Sequence, residues 1–109
     1  MRSLIIRDYP DTSDEKYSID SYLEILNQFT DKKIRDLCSK GYKYIGGECS
    51  IKKNFRKVRI TLSMYFANGE NDRVRVSGTR KVSKNVFNDE ALSALDNEKK
   101  YEIISPEEL

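Results

Sequence analysis

The chain has no histidine and no tryptophan, only two cysteines and two prolines, and no apolar run long enough to cross a membrane. Each absence removes a class of function. Without histidine there is no imidazole base, no Ser-His or Cys-His pair and no mixed Cys/His zinc site. Cys38 and Cys49 lie eleven positions apart, which is not the spacing of a redox or metal pair. They are expected to be reduced thiols that pack as small hydrophobes. Carboxylates are plentiful but fall in turns and at helix starts, where capping and the helix dipole account for them. The expectation is therefore a non-enzymatic protein with no catalytic residues, no metal and no cofactor. Nothing resembles a signal peptide or a membrane span, so the chain is expected to be soluble, cytoplasmic and without a membrane partner. Gly46-Gly47 lacks the following helix and the further spaced glycines of a phosphate loop.

What is present begins with Val58 to Phe66. Val58, Ile60, Leu62, Met64 and Phe66 alternate with Arg59, Thr61, Ser63 and Tyr65. That is the period of a half-buried strand, one face in a core and one in water. With 109 residues the chain has the length of a single domain, residues 1–109, with one modest core.

Elements on either side of this strand follow from local signals. Arg2 to Tyr9 reads as a short edge strand, and residues 11–16 as a polar turn. Ser18 is a helix N-cap with Asp20 in the first turn, and Ile19, Tyr22, Leu23, Leu26 and Phe29 share one helical face. Thr30 is read as the cap of a second helix, Asp31 to Lys40, stopped by Gly41. Lys32 and Lys33 would then occupy its first turn, where the dipole disfavours cations. Strand character returns from Tyr42 to Phe55, with Gly46-Gly47 as a turn or bend, and again from Arg73 to Ser83, with Gly78 as a bulge or bend. Asn88 caps a helix from Asp89 to Leu95, Tyr101 to Ile104 forms a last strand, and Ser105-Pro106-Glu107-Glu108 has the form of a capping box. The order β-α-α-β-β-β-α-β predicts an α+β fold: a mostly antiparallel sheet of four or five strands, two N-terminal helices and one short C-terminal helix, with the helices on one face.

The hairpin after Phe66 fixes its own loop length. Asn68-Gly69 is the favoured pair for a two-residue turn. A two-residue turn would set Met64 opposite Arg73 and Leu62 opposite Arg75, placing arginines on the core face. Val74 and Val76 must share that face instead, so the loop needs three or five residues.

Charge is strongly segregated beneath a net of +2. Residues 1–39 carry six basic and eight acidic side chains, residues 40–85 twelve and three, and residues 86–109 two and seven. The basic middle is the sheet itself. Lys52, Lys53, Arg56, Lys57, Arg59, Tyr65, Arg73, Arg75, Arg80 and Lys81 are the candidate binding residues. Lysine and arginine release counterions from a phosphate backbone, and a ring among them stacks on a base. The favoured reading is a small nucleic-acid-binding accessory or regulatory protein. One variant sets residues 31–40 in the major groove with the 58–79 hairpin as a wing. The alternative is a protein-binding inhibitor or adaptor, of the kind carried by phages and mobile elements. It would recognise a partner through the charged sheet face or the acidic C-terminal segment.

Overall fold

The computed structural model describes residues 1–10 and 16–106. Its elements are β1 (Arg2–Ile5), α1 (Ile19–Cys38), β2 (Lys43–Lys53), β3 (Lys57–Asn68), β4 (Asp72–Ser83), a 3-10 turn (Lys84–Val86), α2 (Asp89–Ala94) and β5 (Lys99–Glu102). The strands form one sheet in the order β1-β4-β3-β2-β5, antiparallel except that β1 runs parallel to β4. The class is α+β, as the element order predicts.

β3 lies at the centre of the sheet, and its alternation holds to the residue. Val58, Ile60, Leu62, Met64 and Phe66 are all 0 % exposed. Each such side chain stabilises the fold by roughly 2 kcal/mol through removal from water. They belong to one buried cluster with Tyr22, Leu26 and Ile34 of α1 and Ala91 of α2, so both helices cover the same face of the sheet. The hairpin register is Asn68 to Asp72, Phe66 to Val74 and Met64 to Val76. The loop is therefore Gly69-Glu70-Asn71, three residues, and both valines are buried with β3.

α1 starts as expected. Ser18 Oγ accepts from the Ser21 N–H at 3.1 Å, and Gly41 follows the helix with φ of 96°, a conformation that only glycine takes without strain. The predicted break at Thr30 is corrected, because one helix of 20 residues runs through it. Thr30 is buried, and its Oγ1 donates to the Asn27 carbonyl at 3.1 Å. A hydroxyl satisfied by the preceding turn can sit mid-helix as easily as it can cap one. Lys32 and Lys33 accordingly meet no helix N-terminus. Lys33 Nζ pairs with Asp8 at 2.9 Å and lies 5.4 Å from the centre of the Phe29 ring. The winged arrangement disappears with the second helix, since the 58–79 hairpin forms the middle of the sheet.

Three further boundaries change. β1 is four residues long rather than eight, since its pairing with β4 ends with Ile5 opposite Ser77. Gly78 makes no bulge, for β4 continues through it with Leu62 directly opposite. Its lack of a side chain serves packing instead: a Cβ there would stand 2.9 Å from both the Ile6 carbonyl oxygen and the Ile6 Cβ. The last strand lies two residues earlier than expected, and Ile103 beyond it is buried, donating its N–H to the Gly47 carbonyl at 3.0 Å. Gly46 does mark a bend, as the β2–β3 register shifts between Tyr44 and Gly46. The predicted turn at residues 11–16 falls mostly outside the described residues, as do Glu107 and Glu108 of the capping box.

Near the start of α1, Tyr17 bridges the chain to the 3-10 turn. Its N–H donates to the Val86 carbonyl at 2.7 Å, and its carbonyl accepts from the Asn88 N–H at 2.9 Å. Asn88 Oδ1 then caps α2 by accepting from the Ala91 N–H at 2.8 Å. The Tyr22 and Phe87 rings meet at 4.9 Å beneath this junction.

Candidate functional site

With both helices on one face, the other face of β2, β3 and β4 carries no helix among the described residues. Its side chains are those that alternate with the core, so the cross-strand register assigns them in rows. At one end Lys52, Arg59 and Lys81 stand side by side, with Lys57 beyond them opposite Ser83. Next comes Ser50–Thr61–Thr79, in which the two threonine hydroxyls are 3.3 Å apart, and then Glu48–Ser63–Ser77. The following row sets Gly46, Tyr65 and Arg75 together, and the last sets Lys43 and Arg73 on either side of Ala67.

The result is a polar band of hydroxyls, bordered by Glu48 and its β5 neighbour Glu102, between two cationic ends. From Arg59 to Tyr65 is six residues along β3, about 20 Å at the rise of a strand. At the second end the Arg75 guanidinium lies 5.9 Å from the Tyr65 ring centre, and its Nη2 approaches Ser63 Oγ at 3.4 Å. Tyr65 is 38 % exposed, so one side of the ring is braced by a cation while the rest faces water.

Not every predicted residue joins this face. Arg56 lies in the turn between β2 and β3 rather than on the sheet. Lys53 and Arg80 point to the helix side, because they pair with the core positions Val58 and Ile60. There Lys53 forms an ion pair with Asp96, and Arg80 stacks 6.0 Å over the Tyr9 ring. Lys52, Lys57, Arg59, Tyr65, Arg73, Arg75 and Lys81 do share the open face.

Two residues outside the predicted set belong to the site. Phe55 is 89 % exposed at the turn beside Arg56, close in sequence to the first cationic end. Lys84 Nζ fixes that turn by donating to the Phe55 carbonyl at 2.7 Å. Glu98, just before β5, reaches back over the face, where its Oε1 accepts from Ser50 Oγ at 2.6 Å. That hydrogen bond, with Lys100, Lys52 and Arg59 nearby, holds its carboxyl below the usual range. Phe55 was visible in the sequence as an aromatic beside Arg56, whereas nothing local marked Glu98.

Cys49 is buried and Cys38 half-buried against the core, both as free thiols. Burial, reinforced by Glu48, pushes the Cys49 thiol up to about 12, so it stays protonated and unreactive at neutral pH. Among the described residues no group of three or more Cys, Asp or Glu side chains is placed to hold a metal ion, and no helix is long and apolar enough to cross a membrane.

Fold and site together define a class: a two-layer α+β domain that buries one sheet face under helices and presents a cationic, hydroxyl-lined face on the other. Comparison with known proteins places it no further, since no family model, curated protein or solved structure matches the chain.

Proposed function

We propose that the chain binds nucleic acid through the open sheet face as a non-enzymatic accessory protein. The observation that carries this reading is the uncovered face itself, with a cationic cluster and an exposed aromatic at each end. Lys52, Arg59 and Lys81, with Phe55 at the neighbouring turn, form one anchor. Arg73 and Arg75, with Tyr65, form the other. Cations contact phosphate, the serine and threonine hydroxyls between them donate to backbone oxygens, and the rings stack on unpaired or terminal bases. Such a surface reads the backbone rather than the sequence, so affinity will depend steeply on salt.

A protein partner recognised through the acidic C-terminal segment is less well supported, because Glu98 of that segment is already engaged on the sheet by Ser50.

The test is affinity for generic DNA and RNA oligonucleotides across salt concentrations. Each Arg→Ala change at Arg59, Arg73 or Arg75 should reduce the log–log salt slope by about 0.7–0.9 and weaken binding to all sequences alike. Glu98→Gln should tighten binding by about threefold, the size expected for removing one exposed charge from the footprint. Absence of binding at about 50 mM salt, or slopes unchanged in all three arginine variants, would remove the reading.

A further inference from the structure

The two edges of the sheet are built differently. β5, at one end, carries Lys99 and Lys100, the usual guard against unwanted strand pairing. β1, at the other, contains no lysine and no proline, and its single charge, on the exposed Arg2, is paired within the molecule. Arg2 donates to Tyr42 and to Asp72, the latter at 3.1 Å. What β1 presents is apolar: Leu4 is 47 % and Ile5 65 % exposed, with Met1 exposed beside them.

The backbone of β1 is equally available. The Ile6 N–H donates to the Ser77 carbonyl at 2.7 Å, so even-numbered residues turn their polar groups toward β4. Alternation then turns the N–H and C=O of Ser3 and Ile5 away from the sheet. Among the described residues, β1 is the outermost strand on this side. Below it, between β1 and the C-terminal half of α1, runs a groove of about 250 Å³ floored by Leu4, Ile6 and Leu37, with Asp36 and Lys40 on its rim.

We propose that β1 pairs antiparallel with β1 of a second copy of this chain, about a two-fold axis at Leu4. In that register Ser3 and Ile5 of each copy exchange both backbone hydrogen bonds. Leu4 meets Leu4 as the closer, non-hydrogen-bonded pair over the two grooves. A copy suits the site because the rim offers both signs: Asp36 and Lys40 lie one helical turn apart, while Lys33, which also lines the groove, is already paired with Asp8. The two-fold brings Lys40 toward the other copy's Asp36, whereas a segment of one charge sign would oppose one of them. The axis lies perpendicular to the sheet, so the paired sheets keep all helices on one side and set the two open faces side by side on the other.

The test uses the full chain with Cys38→Ser. Leu4→Cys in that background should form a disulfide dimer under mild oxidation, since a non-hydrogen-bonded pair sits at about 4.5 Å between Cα atoms, within disulfide range. Ile5→Cys, which is opposite Ser3 rather than itself, should not. By sedimentation the native chain should be dimeric at tens of micromolar, and Leu4→Lys should weaken the dimer at least tenfold, with a melting temperature unchanged when both chains are measured at concentrations low enough to be monomeric. A native chain that stays monomeric at several hundred micromolar overturns the proposal. So does crosslinking that is equal for Leu4→Cys and Ile5→Cys, or a dimer that survives Leu4→Lys.

Discussion

Gly78→Ala tests how the N-terminal segment is seated on the sheet. Gly78 lies in unbroken β4 opposite Leu62, so alanine finds an ordinary extended backbone there. On propensity alone the change should stabilise the strand by about 0.5–1 kcal/mol. The new Cβ, however, would stand 2.9 Å from the Ile6 carbonyl oxygen and the Ile6 Cβ, and 3.1 Å from the Tyr9 hydroxyl. Two of these atoms belong to backbone or its first carbon and cannot swing aside. Relief requires Ile6 to move, and Ile6 is both buried and bonded to Ser77. Overpacking of this kind costs about 1–3 kcal/mol, which outweighs the propensity gain and leaves a net loss of roughly 0.5–2 kcal/mol. For a chain of this length that lowers the melting temperature by roughly 2–8 °C. Thermal and urea unfolding measure the loss, and hydrogen exchange locates it, since the Ile6 amide should lose protection before those of β3. Tyr9→Phe removes the hydroxyl from the contact and should recover part of the cost in the double variant. A Gly78→Ala chain as stable as the native one, or more so, would show that the segment through Ile6 and Tyr9 yields freely, and the close-approach argument would fail.

Two further outcomes follow from the core and the hairpin. Cys49, and Tyr22 and Tyr44 with it, are pushed up to about 12, chiefly by burial. The folded protein therefore keeps protons that the unfolded chain has lost. Stability should be full below about pH 8 and fall as pH rises toward 12, with the thiol leading and the tyrosines joining it as the pH nears 10. Urea midpoints at pH 8, 9 and 10 should show a decline of roughly 1 kcal/mol per pH unit that flattens in Cys49→Val. The same decline in that variant would clear the thiol. Inserting one alanine between Val74 and Arg75 puts Val74 and Val76 out of parity, so one of them must leave the core at a cost of roughly 1.5–3 kcal/mol. Lengthening the loop by two glycines keeps the register and should cost under about 1 kcal/mol. Urea unfolding that ranks the two variants equally would refute the register argument.

Much of the fold was legible because its signals are local. Alternation over Val58–Phe66 located the core face, and the parity of Val74 and Val76 dictated an odd loop against the pull of Asn68-Gly69. The errors share a cause, which is that one residue type serves two structural purposes. Thr30 resembles a cap until its hydroxyl finds the Asn27 carbonyl, and Gly78 resembles a bulge until Ile6 is laid over it. The second error carried into the site. Counting β4 straight through Gly78 places Arg80 with Val76 and Val82 on the core face, and the parity of Lys53 with Cys49 and Ile51 does the same. Both residues were legible from strand period alone. The parallel pairing of β1 and the return of Glu98 over Ser50 were not, because they join segments tens of residues apart with no local mark on either.

The parallel partnership of β1 and β4 also sets an order in time. Arg2 pairs with Val74, so β1 leaves the ribosome 72 residues ahead of its partner. At a synthesis rate of about 5–20 residues per second it waits roughly 4–14 s before β4 exists to receive it. The β2–β3–β4 meander needs only neighbouring segments and can close as each strand emerges. Of the five strands, β1 therefore waits longest for its partner. The nascent chain spends those seconds with the inner backbone edge of β1 unpaired and Ile6 outside the core that later buries it.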